Sequence, residues 1–160
     1  MKPPMHHDKK PSHPRDAFMT GYIDPTKETF GLFKDLPTND GPIHMLNLVK
    51  LREAAVYPDG RKATGREAYR AYSRESGPVF QRLGGKQHWV GTPQLMLIGP
   101  AEESWHLVFI AEYPNGQAFI DMLRDPVYRE AVKHRQAAVL DSRLLRLKPG
   151  VPGETFGEAQ

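Results

Sequence analysis

The sequence predicts one α+β domain whose strands and helices follow the order β-α-β-β-α-β. Three observations carry that reading. Four dense apolar runs, over residues 43–51, 86–98, 105–113 and 140–147, have strand character. Two longer stretches, following Thr64 and over 115–139, repeat their apolar residues at helical spacing. Gly- and Pro-containing turns separate these segments, and 160 residues suit one domain with one core.

The chain divides into four parts. Residues 1–20 are expected to be a flexible arm, because the first sixteen hold four prolines, three histidines and four basic residues and little that could repay ordering. His6, His7 and His13 could take up a metal adventitiously, but ligands without a packed scaffold are poorly fixed, so no metal site is expected. Residues 21–42 read as an appended short helix and turn. Asp24 is the expected N-cap with Pro25 at the first helical position, Phe30, Leu32 and Phe33 form an apolar face, and Pro37 ends it before the turn Thr38–Pro42. Residues 43–148 form the main domain, and the Gly- and Pro-rich residues 149–160 read as a flexible tail.

Within the main domain, Ile43–Leu51 is nearly continuous apolar sequence. Thr64 caps the first long helix, with Glu67 completing a capping box, and Gly84-Gly85 ends it. The second strand is expected over Lys86–Ile98, interrupted by Pro93, and the third over Trp105–Tyr113. The second helix breaks near Asp125-Pro126 and leads into the last strand, Leu140–Leu147. The first and third strands are the most apolar, as central strands are; Pro93 and the charges Asp141, Arg143 and Arg146 mark the second and fourth as edges. The spatial order is therefore 4-1-3-2, an antiparallel ferredoxin-like plait. Two right-handed crossovers place both helices on one sheet face. The other face is left apolar and bare, and a second copy of the chain is its economical cover, giving a homodimer.

Composition narrows the function. Lys and Arg number 22 against 19 Asp and Glu, a net charge of +3 with no basic stripe, so a nucleic-acid partner is not expected. The absence of cysteine removes disulfides, zinc–thiolate sites and cysteine nucleophiles, and it fits a reducing compartment. No apolar run approaches the ~20 residues of a membrane span, and the N-terminus lacks a secretory apolar region, so no membrane partner and a cytoplasmic location are expected. There is no G-x-G-x-x-G, P-loop or H-E-x-x-H, and no cofactor is expected.

Several segments resemble a known family. MLNLVKLRE (45–53), EAYRAY (67–72), RLGG (82–85), LIGP (97–100), EYP (112–114) and AFIDMLRDPVYREAVKHRQAAVLDSRLL (118–145) are similar to the domain of unknown function 1330 family. The most specific features are Asp125-Pro126-x-Tyr128, His134-Arg135 and Asp141-Ser142-Arg143 at this spacing, and the likeness spans roughly residues 43–147. The resemblance implies a dimeric α/β barrel, a fold shared by small cofactor-independent monooxygenases and isomerases. It implies no reaction.

The residues themselves nominate a site. Arg135 lies within the apolar helix stripe Tyr128, Ala131, Val132, Ala138, Val139, where a guanidinium must be partnered. It is either a structural ion pair, with Asp141 the nearest candidate, or an anion clamp. His134, about 100° around the helix, is the candidate general base or else a hydrogen-bonded structural residue. Asp141 and Arg143 share one strand face as a structural or dimer-spanning ion pair; Ser142 takes the other face, which argues against a Ser142–His134–Asp141 hydrolase. Asn47, mid-strand among apolar residues, either lines a pocket or pins a neighbouring strand. Tyr69, Tyr72, Tyr128, Trp89 and Tyr113 supply aromatic pocket lining or core, with Trp89 expected beside Tyr113 across the hairpin. These candidates describe a homodimer binding a small anionic or carbonyl-bearing molecule, as a cofactor-independent isomerase or monooxygenase with His134 as base. The competing reading is a non-catalytic ligand-binding or dimerisation module whose polar residues are structural.

Overall fold

The computed structural model describes residues 21–157. It contains helix α1 (Lys27–Asp35), strand β1 (Ile43–Leu51), helix α2 (Gly65–Arg82), strands β2 (Lys86–Gly91) and β3 (Leu107–Tyr113), helices α3 (Gly116–Arg124) and α4 (Pro126–Ala138), and strand β4 (Val139–Leu147). The four strands form one antiparallel sheet in the order β2-β3-β1-β4, which is the expected 4-1-3-2 plait. The expected arm over residues 1–20 and the last three residues of the expected tail lie outside the described residues. Residues 149–157 carry no helix or strand.

Local chemistry sets the helix boundaries. Thr64 Oγ1 accepts the Glu67 N–H at 3.0 Å and Glu67 Oε2 accepts the Thr64 N–H at 3.4 Å, the reciprocal box that the sequence predicts. Gly65 has to be glycine, because a Cβ there would come within 1.9 Å of the Arg52 carbonyl oxygen. Gly84, at φ +84°, turns the chain out of α2. At Asp125 the carboxylate accepts the N–H groups of Val127 and Tyr128, so α3 stops and α4 starts on a capped Pro126.

Two expectations fail here. Helix α1 starts at Lys27, capped by Thr26 rather than Asp24. Thr26 and Thr29 exchange side-chain-to-backbone hydrogen bonds at 2.9 and 3.0 Å and satisfy two orphan donors together, while the Asp24 carboxylate accepts from Gln136 instead. Strand β2 ends at Gly91 instead of running to Ile98. Pro93 has no N–H to give a ladder, and beyond it Leu95, Leu97 and Ile98 are almost fully exposed in the loop 92–106.

The sheet is covered unequally. Helices α2, α3 and α4 pack on the face that presents Ile43, Met45, Val49 and Leu51 of β1, in two clusters. One gathers Ile43, Met45, Ala111, Tyr113, Phe119 and Tyr128; the other gathers Val49, Leu51, Tyr57, Ala68, Ala137 and Val139. Asn47 falls between them on the same face, so the core is divided at the one polar residue of that row. Helix α1 buries no residue fully but lays Phe33 against Phe119, ring centroids 4.8 Å apart. The opposite sheet face presents Leu46, Leu48, Ile110 and Leu145, and no helix among the described residues packs on it. Leu145 and Trp89 are there 55% and 50% exposed.

Candidate functional site

Where the core divides, a cavity of about 1200 Å³ opens between the sheet, α2, α4 and the segment leading into α1. It exceeds the range of roughly 300–1,000 Å³ usual for small-molecule pockets. Among its walls are Asn47, Tyr69, Tyr72, Tyr113, Tyr128 and Arg135, so the structure brings together six of the eight residues nominated for ligand or catalysis. Trp89 and His134 do not line it.

Arg135 reaches the wall from the last turn of α4. Its Nη1 donates to the Ile23 carbonyl and its Nη2 to Ser142 Oγ at 3.2 Å. Ser142 Oγ in turn donates to the Tyr22 carbonyl at 2.6 Å. The expected pair with Asp141 does not form. Alternation along β4 turns Ser142 towards Arg135 and Asp141 away, where Asp141 Oδ1 takes Arg143 Nη1 at 2.8 Å and the Tyr22 N–H at 2.9 Å. Arg143 also meets Glu103 at 3.2 Å. The Asp141-Ser142-Arg143 run and Arg135 therefore strap residues 21–23 across β4. The backbones approach so closely that a Cβ on Gly21 would lie 2.0 Å from the Leu140 oxygen. Among the described residues, both partners of the Arg135 guanidinium are neutral and no carboxylate pairs with it.

The phenols of Tyr69, Tyr72, Tyr113 and Tyr128 line the same space. Tyr72 and Tyr128 hydroxyls share a hydrogen bond of 2.9 Å, and the Tyr69 and Tyr72 rings lie 5.4 Å apart. Burial pushes the Tyr69, Tyr128 and Tyr113 phenols well above their usual range, so they stay protonated. The Arg135 charge pulls Tyr69 and Tyr128 partly back. Tyr113 donates to Met122 Sδ at 3.8 Å. Asn47 Nδ2 donates to the Met45 carbonyl at 3.0 Å, which turns its amide along its own strand.

His134 faces elsewhere. Its Nδ1 lies 2.6 Å from the Tyr57 hydroxyl and its Nε2 2.9 Å from Glu75, so both ring nitrogens are engaged in bridging α4 to α2 and to the 52–64 loop. Trp89 stands opposite Ile110, not beside Tyr113, and points to the open face; the 92–106 loop and an irregularity between Gln87 and Trp89 set that register. Arg52, just past the end of β1, has its Nε and Nη1 buried, and burial lowers its pKa.

The histidine on the cavity wall among the described residues is His106, one of the hairpin residues that the sequence places near an aromatic-lined pocket. It sits just beyond the end of the β1–β3 ladder, its N–H donating to the Val49 carbonyl at 2.8 Å. The Leu51 N–H donates to His106 Nδ1 at 2.8 Å. That bond makes Nδ1 the acceptor and leaves the proton of the neutral ring on Nε2. Burial lowers its pKa, with Arg66 and Lys50 adding repulsion, so the neutral ring prevails at pH 7.

An antiparallel 4-1-3-2 plait with helices packed on one sheet face defines a ferredoxin-like α+β protein. The model of the domain of unknown function (DUF1330) family matches residues 61–146, and the chain belongs to that family. The match begins after β1, so it is shorter at the N-terminal end than the likeness read from the sequence. A protein of unknown function from Rhodopseudomonas palustris, RPA0582, is 66% identical; the similarity covers 83% of this chain and 100% of that one, with a TM-score of 0.80. The methylated form of RPA0582 gives 67% identity, 85% and 100% coverage, and a TM-score of 0.82. A putative antibiotic biosynthesis monooxygenase from Bacteriodes thetaiotaomicron is 17% identical, with 74% and 99% coverage and a TM-score of 0.46, a likeness too distant to carry a function. No curated protein matches the chain. No helix among the described residues is long and apolar enough to cross a membrane.

Proposed function

We propose that this chain binds a small organic anion, a carboxylate or an enolisable carbonyl compound, in the cavity between its sheet and helices, as a homodimer and without a cofactor. One observation carries the reading: Arg135 stands in a wall that also holds several Tyr and Phe side chains, with only neutral partners among the described residues. A guanidinium has five N–H donors, and two are used by Ile23 and Ser142. The others suit the planar fork of a carboxylate, and the protonated phenols of Tyr69 and Tyr128 add donors nearby. Support for the dimer comes from the bare sheet face around Leu46, Leu48, Ile110 and Leu145, which a second copy would cover.

Binding is favoured over His134-based catalysis because the His134 ring is turned away and fully engaged. A second reading, proton transfer on the bound anion as in an isomerase or monooxygenase, rests on His106, whose Nε2–H is the donor in the cavity wall. The test is a thermal-shift screen of small aromatic and aliphatic carboxylates against their neutral amides. Carboxylates should raise Tm in the wild type by mass action, and amides should not. Equal shifts from both series, or none from either, would overturn the anion reading.

A further inference from the structure

The open face of the sheet carries a second constellation, independent of the cavity. His44 on β1 stands directly opposite Glu112 on β3, with His44 Nε2 2.9 Å from Glu112 Oε1. The register irregularity between Gln87 and Trp89 inserts His88 as an extra residue in β2, and a bulge of this kind re-aims a side chain. Here it brings His88 Nδ1 to 3.9 Å from the same Oε1. The two imidazoles lie side by side, ring centroids 4.3 Å apart and planes 34° apart. The other carboxylate oxygen, Oε2, is held 3.1 Å from Lys86 Nζ.

We propose that His44, His88 and Glu112 form a site for a divalent first-row transition ion such as Zn²⁺ or Co²⁺. Their ligand atoms all lie within 4.8 Å of one another, and among the described residues this is the cluster that brings three such donors together. Bonds of about 2.0–2.1 Å to a tetrahedral ion set donors about 3.3 Å apart, between the 2.9 and 3.9 Å seen to Oε1. Two neutral imidazoles and one carboxylate oxygen select zinc-like ions over Ca²⁺ or Mg²⁺, which demand oxygen ligands. The carboxylate is already divided for the task. Oε1 faces the imidazoles, while Lys86, 67% exposed at the sheet edge, fixes Oε2 from outside as an orienting partner. His44 is 13% exposed and Glu112 21%, so two of the three ligands are held in place by the sheet, with His88, 47% exposed, closing the set from the edge strand.

The experiment is a Co²⁺ titration of the full chain, followed by its visible absorption and by calorimetry. His6, His7 and His13 are replaced by alanine throughout, so that the N-terminal histidines contribute nothing. The expected result is one Co²⁺ per chain, displaced by Zn²⁺. His88→Ala and Glu112→Gln should each weaken binding by at least ~10-fold, since loss of even an outer-shell partner costs that much. Both variants are checked for an unchanged far-ultraviolet spectrum, and His88, being exposed on an edge strand, is the safer for folding. No binding in the parent, or binding that survives both substitutions undiminished, would overturn the site. Neither outcome bears on the cavity or on Arg135.

Discussion

The two faces of the same four strands have opposite fates. Under the helices, Met45 and Val49 are buried to 3% and 1% exposure, yet the row they belong to is interrupted by Asn47, and the cavity opens there. On the bare face, Leu46, Leu48 and Ile110 continue the apolar character outward, with His44, His88 and Glu112 gathered at one end and Lys50, Asp141 and Arg143 at the other. A central strand can thus be apolar on both sides for different reasons: one side is a core with a polar interruption, the other a surface awaiting cover. A run of apolar residues marks a strand as central without saying what either face is for.

A charge on each face separates the two most sharply. Val49→Asp places an unpaired carboxylate in a site 1% exposed, and should cost about 4 kcal/mol or more, measured by urea denaturation. Leu145→Lys, 55% exposed, should leave the fold intact while converting the proposed dimer to a monomer in light scattering. A Leu145→Lys chain that remains dimeric would remove the open sheet face as the interface.

Next in size is a comparison of neighbours on α4. Arg135→Met removes two hydrogen bonds from a charged donor and should cost about 2 kcal/mol. It should also abolish the Tm shift given by carboxylates. His134→Ala breaks the links to Tyr57 and Glu75, and should cost about 1 kcal/mol while leaving that shift intact. If the two variants lose stability alike and both keep the ligand shift, Arg135 is only a strap for residues 21–23.

The plan of the fold was legible because it rests on local and periodic signals. The capping box Thr64–Glu67, the Asp125-Pro126 break and the burial pattern of β1 are all readable within a few residues. The anomaly at Arg135 was legible too, since a cation in an apolar helix stripe stands out from its own period. Its partners were not. One is the backbone carbonyl of Ile23, 112 residues away, and a backbone carbonyl leaves no mark on composition. The register of Trp89 was lost because the bulge at His88 and the unpaired loop 92–106 obey tertiary packing rather than a turn motif. The role of His106 was hidden for a related reason. It depends on the β1–β3 ladder stopping at Leu107, which leaves the Leu51 N–H to be taken by an imidazole.

That bond gives the smallest effect and the last distinction between the faces. Burial depresses the His106 pKa below its ordinary value of about 6.5, so the unfolded chain binds this proton more readily than the native one. Stability contributed by the neutral ring is therefore full above about pH 6.5 and declines as pH falls towards the lower native pKa. Protonation would also place an N–H where Leu51 already donates, which strengthens the same sign. His106→Gln retains an acceptor for Leu51 but cannot titrate in this range. The difference in stability between wild type and variant, followed by urea denaturation from pH 7.5 to 5, should shift against the wild type on acidification. A difference independent of pH would mean that the His106 ring is as easily protonated in the folded chain as in the unfolded one. The fold would then do nothing to keep the cavity-wall histidine neutral, and the proton-transfer reading would lose its support.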